Sequence, residues 1–253
     1  MKNYPILPGA EAFFFPGGDT GILISHGFSG TPQSVRFLGE SLAAQGFTVY
    51  GVRLAGHGTH YEEMAQCTYK DWLHSLEQGY QFLQEQCREI YVIGQSMGGT
   101  LTSHLAGTHP VAGIILINAA MTTIPAFEAF RHQDPSLLLE EDAPDIKDPD
   151  VYEITYTKAP VSAIQQLLQL ADETRTRLSQ IHCPVLAFAS VEDHVVPPEN
   201  TDEMMQLVRS DIKQIVPLYD SYHVASMDYD KEKIAAEMVS FIQSCSAPVP
   251  QQI

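Results

Sequence analysis

Long apolar runs are missing from this sequence. None approaches the roughly 20 residues that cross a bilayer as a helix, so integral membrane association is not expected. Cysteine is scarce. Cys67, Cys87, Cys183 and Cys245 show neither zinc-site nor redox-motif spacing, which predicts free thiols in a reducing cytoplasm. Basic residues are few, 14 Lys and Arg against 31 Asp and Glu, leaving a net charge of −17. Nucleic acid and anionic membrane surfaces repel such a chain, and neither is expected as a partner. Anionic substrates are mildly disfavoured too, although salt screens the field within roughly 8 Å. The opening Met1-Lys2-Asn3-Tyr4-Pro5 lacks the apolar core of a signal peptide, which again gives a cytoplasmic expectation.

What is present is enough for a sizeable packed unit: 253 residues, 44% of them hydrophobic. The informative stretch is Glu89-Ile90-Tyr91-Val92-Ile93-Gly94-Gln95-Ser96-Met97-Gly98-Gly99. A β-branched run ends in Gly-x-Ser-x-Gly and a small-residue helical pattern follows, from Thr100 to Gly107. In the order strand, sharp turn, helix, that motif lifts a serine hydroxyl clear of a sheet edge and aims the helix N-terminus at it. Ser96 is therefore the candidate nucleophile.

Around it the pattern alternates. Strands are predicted at 12–15, 21–25, 47–54, 89–95, 113–117, 184–189 and 212–218. Helices are predicted from a Thr31 N-cap to about Gln45, then over 69–86, 198–208 and 230–243. Continuously apolar runs such as Ile114-Ile115-Leu116-Ile117 suit a mostly parallel sheet covered by helices on both faces. The rhythm breaks between Met121 and Ser179, where no clear strand is predicted and short helices are expected near 127–131 and over 160–178. The organisation expected is a core in two parts, 1–120 and 180–247, with 121–179 inserted over the strand C-termini. A tail rich in Ser, Pro and Gln begins near Ser244 and is expected to fray over 248–253.

A serine needs a base, and the base an orienting acid. In this fold class they follow in the order nucleophile, acid, histidine, each at a strand C-terminus. Asp193 opens Asp193-His194-Val195-Val196-Pro197 after one strand, and His223 lies in Asp220-Ser221-Tyr222-His223 after the last. Glu192 is expected on the solvated rim, and His194 diverges from its neighbour Asp193. His57 and His60 lack a third ligand at metal spacing, so no metal site is expected, and His57 reads as a turn-stabilising residue. His26 is expected to bond backbone within His26-Gly27-Phe28. Two oxyanion donors are needed, and the backbone N–H groups of Phe28 and Met97 are the candidates.

The His-Gly-Phe-Ser-Gly-Thr-Pro loop, the Gly-Gln-Ser-Met-Gly-Gly elbow, Asp-His-Val-Val-Pro and Ser-Tyr-His-Val resemble the α/β-hydrolase family. Within it the likeness is to small bacterial carboxylesterases and monoacylglycerol lipases of the Bacillus and Geobacillus type, over nearly the whole chain and least in the insertion. The resemblance implies a Ser96/Asp193/His223 triad, oxyanion donors at Phe28 and Met97, no cofactor, and a small helical cap above an apolar pocket. Two departures, Ser190 for a common glycine and Gln95 for leucine or histidine, are expected to matter little for mechanism.

Candidate cap residues for an apolar wall are Ile124, Phe127, Leu137, Leu138, Ile164 and Leu167. By the same resemblance, Glu153 is the candidate for a polar contact with a glycerol head, set against the plain reading of a solvated acid. The function expected is hydrolysis of small neutral carboxylic esters, short-to-medium acyl esters or monoacylglycerols, through an acyl-enzyme. Thioesterase, amidase, lysophospholipase, peroxidase and non-catalytic receptor readings stay open. A monomer or weak homodimer is expected.

Overall fold

The structure, a computed structural model, describes residues 4–121 and 124–246. Its elements run β1 (Phe13–Phe15), β2 (Thr20–Ser25), α1 (Gln33–Ala43), β3 (Thr48–Val52), α2 (Tyr61–Met64) and α3 (Tyr69–Gln84). They continue through β4 (Glu89–Gln95), α4 (Met97–Ala106), β5 (Gly113–Ile117), α5 (Pro125–Glu128), β6 (Leu138–Glu140) and β7 (Lys158–Pro160). The chain closes with α6 (Val161–Arg175), β8 (Val185–Ser190), α7 (Glu199–Leu207), β9 (Lys213–Leu218) and α8 (Lys231–Ser246).

Seven strands form one sheet in the order β1-β3-β2-β4-β5-β8-β9, parallel except for β1 against β3. The order turns back between β2 and β4, which is where an open α/β sheet leaves a crevice for ligand. Both faces are covered, which explains the unbroken apolar runs. Along β4, Ile90 and Val92 enter the core shared with α3 and α4, while Tyr91 and Ile93 enter the core shared with α1 and α8. The period-2 alternation of a strand thus splits one run between two cores.

Three expectations are corrected. The segment between β5 and β8 does hold strands: Leu138–Glu140 pairs antiparallel with Lys158–Pro160 as a short ribbon. Three residues per strand, one of them proline, leave too little alternation to read from sequence. The Thr31 cap is not made, because its hydroxyl is buried without a partner and α1 starts only at Gln33. Residues 244–246 are helical, so the tail begins later than its composition indicated; 248–253 lie outside the described residues. Among the described residues no helix is long and apolar enough to cross a membrane.

Candidate active site

Ser96 occupies a backbone conformation that L side chains avoid, φ 53° and ψ −121°. Such strain costs on the order of 1–3 kcal/mol and persists only where the surroundings dictate it. They do so here. A Cβ on Gly94 would lie 2.0 Å from the Gly98 carbonyl oxygen, and one on Gly98 would lie 2.4 Å from that of Ser25. Ser96 N–H donates to the Ile117 carbonyl (2.9 Å), and the Ser96 carbonyl accepts from Gly99 (2.9 Å) and Ala120 (3.2 Å). The elbow is pinned on both sides, with α4 beginning at Met97.

Ser96 Oγ lies 2.9 Å from His223 Nε2, and His223 Nδ1 lies 2.8 Å from Asp193 Oδ2. The Asp193 side chain is 1% exposed. Its other oxygen accepts from the N–H groups of Val195 (2.9 Å) and Val196 (2.8 Å), so the carboxylate is satisfied without solvent. Glu192 stands apart, half exposed and beside Lys147. Its charge faces water.

The loop after β2 packs against the nucleophile: a Cβ on Gly27 would come within 3.3 Å of Ser96 Cβ. His26 sets that loop. Its Nδ1 meets the Gly27 carbonyl at 2.9 Å, and its Nε2 accepts from the Leu54 N–H at 3.3 Å. Burial and the neighbouring His57 hold His26 well below the usual histidine range, so Nδ1 carries the proton and Nε2 the lone pair. In a trans peptide the N–H points opposite to the C=O, so pinning Gly27 C=O fixes the direction of Phe28 N–H. Among the described residues neither Phe28 nor Met97 N–H donates a backbone hydrogen bond. His57 is fully buried, its Nδ1 at 3.0 Å from Ala55 O and its ring edge-on to Trp72. His60 caps α2 by accepting from Glu62 N–H.

Ser96 and His223 open into a cavity of about 700 Å³. Phe127, Leu138, Ile124, Ile164 and Leu167 line it, and so does Phe28. Leu137 does not; it precedes the strand and is exposed. Glu153 also lines the cavity, but at 6% exposure it is no solvated acid. Burial pushes its carboxyl up to about 7, while the nearby His223 and Ser34 side chains pull the other way. Gly30 makes room for it, since a Cβ there would sit 2.8 Å from Glu153 Oε1. Glu141 also lines the cavity and accepts from the Ser29 hydroxyl at 2.7 Å. The cavity is therefore lined by both apolar and acidic side chains.

Several residues around the site escape sequence reasoning. Asn118, at positive φ after β5, accepts from Ser190 N–H (2.8 Å) and donates to the carbonyl of His223 (2.8 Å). A polar residue directly after an apolar strand, the position logic that finds Ser96, is the signal that would have found it. Ser190 and Gln95 each bond to backbone near His223. Ser190 Oγ donates to Tyr222 O at 2.8 Å, and Gln95 Oε1 accepts from Ser226 N–H at 3.2 Å. Both departures fasten the loop that bears His223.

A strained serine between a helix N-terminus and a buried histidine–carboxylate pair, on this sheet, defines a serine hydrolase of the α/β class. The chain belongs to the Hydrolase_4 family, described as serine aminopeptidase, S33, which matches residues 19–230. It is 47% identical over 243 residues to a thermostable monoacylglycerol lipase of Bacillus sp. (strain H-257), covering 95% of this chain and 97% of that one. To a carboxylesterase of Bacillus subtilis (strain 168) it is 28% identical, covering 92% and 96%. A solved structure from work on LipS and LipT, two metagenome-derived lipolytic enzymes, superposes with a TM-score of 0.91 at 40% identity. That match covers 95% of this chain and all of the other.

Proposed function

We propose that this protein hydrolyses carboxylic esters through an acyl-enzyme on Ser96, with neutral monoacylglycerols as the favoured class. The observation that carries the reading is the hydrogen-bonded line from Asp193 through His223 to Ser96, opening into a cavity lined by apolar and acidic side chains. His223 Nε2 takes the hydroxyl proton as Ser96 Oγ adds to the ester carbonyl. Asp193 holds the Nδ1–H tautomer and stabilises the imidazolium. The Phe28 and Met97 N–H groups receive the oxyanion. His223 then protonates the leaving alcohol and activates the water that releases the acid.

Segment 121–179 serves in this reading as a cap between core segments 1–120 and 180–247, and its residues on the cavity wall support that role. The acyl chain lies along Phe28, Phe127, Ile164 and Leu167. The alcohol faces Glu153, whose carboxyl, raised to about 7, both donates to and accepts from glycerol hydroxyls near neutrality. A phosphate-bearing head would meet the carboxyl groups of Glu141, Asp142 and Glu153. The names of the two Bacillus relatives fit this substrate class. The protein works as a cytoplasmic monomer or weak dimer.

The test compares kcat/KM for a monoacylglycerol with that for the ethyl ester of the same fatty acid, in wild type and Glu153→Ala. Wild type should prefer the glyceride, and the variant should lose that preference by about 1–3 kcal/mol. An unchanged ratio would remove Glu153 from the alcohol site and leave a general carboxylesterase.

A further inference from the structure

His223 sits on the loop between β9 and α8, where no regular ladder fixes the backbone. Its neighbours bond instead to an acidic stretch between β6 and β7. Asp145 Oδ2 accepts from His223 N–H (3.2 Å) and from His194 N–H (3.1 Å), while Oδ1 lies 2.7 Å from His194 Nδ1. The Asp145 carbonyl accepts from Val224 N–H at 3.0 Å.

A second carboxylate answers from the other side. Asp228, fully buried, accepts from Lys147 (2.7 Å) and Asp148 (3.1 Å) N–H groups and from that of Tyr222 (2.9 Å). The N–H groups of Tyr222, His223 and Val224 therefore end either on the 145–148 stretch or on the carboxylate that grips it. His194 adjoins Asp193, so Asp145 touches both loops that supply Ser96 with its acid and base. Hydrogen bonds to a charged acceptor are among the stronger ones, and three converge on this one side chain.

We propose that Asp145 is a positioning residue for the triad, clasping the Asp193 loop and the His223 loop to one carboxylate. This inference rests on the catalytic reading of Ser96, Asp193 and His223. The segment between β6 and β7 then completes the reacting geometry as well as bounding the cavity. A misplacement of about 1 Å between reacting groups can cost on the order of 100-fold in rate, so the clasp should be visible in kcat. Substrate that leaves the cap untouched should feel its loss as much as a long-chain ester does.

The experiment uses Asp145→Ala and Asp145→Asn in the full chain. The readouts are kcat and KM for p-nitrophenyl acetate, the rate at which a fluorophosphonate labels Ser96, and the melting temperature. Asp145→Ala should lose roughly 100-fold in kcat and in labelling rate, with KM within about threefold of wild type. Asp145→Asn keeps one oxygen for the two backbone N–H groups and should recover most of that loss. A lowered melting temperature with wild-type kcat and labelling would make Asp145 a stability residue only and overturn the proposal. Should Asp145→Ala not fold, Asp145→Ser, whose hydroxyl meets one N–H at most, should show an intermediate loss; wild-type kcat there overturns the proposal equally. Wild-type protein that the fluorophosphonate does not label would instead overturn the catalytic reading itself.

Discussion

Asp193 meets His223 through a single carboxylate oxygen, Oδ2 to Nδ1 at 2.8 Å, because its other oxygen is committed to the N–H groups of Val195 and Val196. The Asp193 carboxylate is thus held by backbone on one side and by the imidazole on the other, with Nε2 facing Ser96 at 2.9 Å.

Asp193→Asn presents an amide N–H to Nδ1 and favours the wrong tautomer, so kcat should fall by about 10⁴-fold. Glu192→Gln, on the exposed rim, should change kcat less than about threefold. Steady-state kinetics on one activated ester decides between them. A reversed ranking would move the acid to Glu192.

His26→Ala leaves the Leu54 N–H and the Gly27 carbonyl without their ring partners. Loss of direction in the Phe28 N–H should lower kcat by about 10- to 100-fold with little change in KM, short of the 10²–10³ expected for deleting a donor outright. Urea denaturation should also show a loss of about 1–3 kcal/mol, the cost of stranded buried polar groups. A stability loss with unchanged kcat would detach His26 from the oxyanion loop's function.

Glu153 makes stability depend on pH. Its folded-state value of about 7 lies above the ordinary 4.5, so the unfolded chain releases the proton first as pH rises. The stability it contributes is fully present below about 4.5 and is lost as pH climbs through about 7. Glu153→Gln removes that loss. The variant should gain on the order of 3 kcal/mol on wild type between pH 4 and pH 8 in urea denaturation. An equal difference between the two proteins at both pH values would contradict the buried-carboxyl assignment.

Much of this site was legible because its chemistry coincides with local pattern. Ser96 follows an apolar strand and precedes small helical residues, and Asp193 and His223 each follow a strand, so position along the chain marked them as candidates. Leu137 and Leu138 could not be separated, since only the fold brings the stretch from Leu138 onward to the cavity. Asp145 was hidden among acids that look alike in sequence. The role proposed for it rests on contacts with His194 and His223, 49 and 78 residues away. Glu153 was noticed, but its burial comes from tertiary packing and Gly30, which no period in the sequence records.

The most direct measurement is acid-quench mass spectrometry of the enzyme mixed with a p-nitrophenyl ester, alongside kcat for Ser96→Ala. One acyl group should appear on the peptide containing Ser96, and Ser96→Ala should carry none and lose about 10⁵- to 10⁶-fold in kcat while staying folded. An acyl group on another residue, or a Ser96→Ala enzyme keeping a tenth of wild-type activity, would contradict catalysis through Ser96.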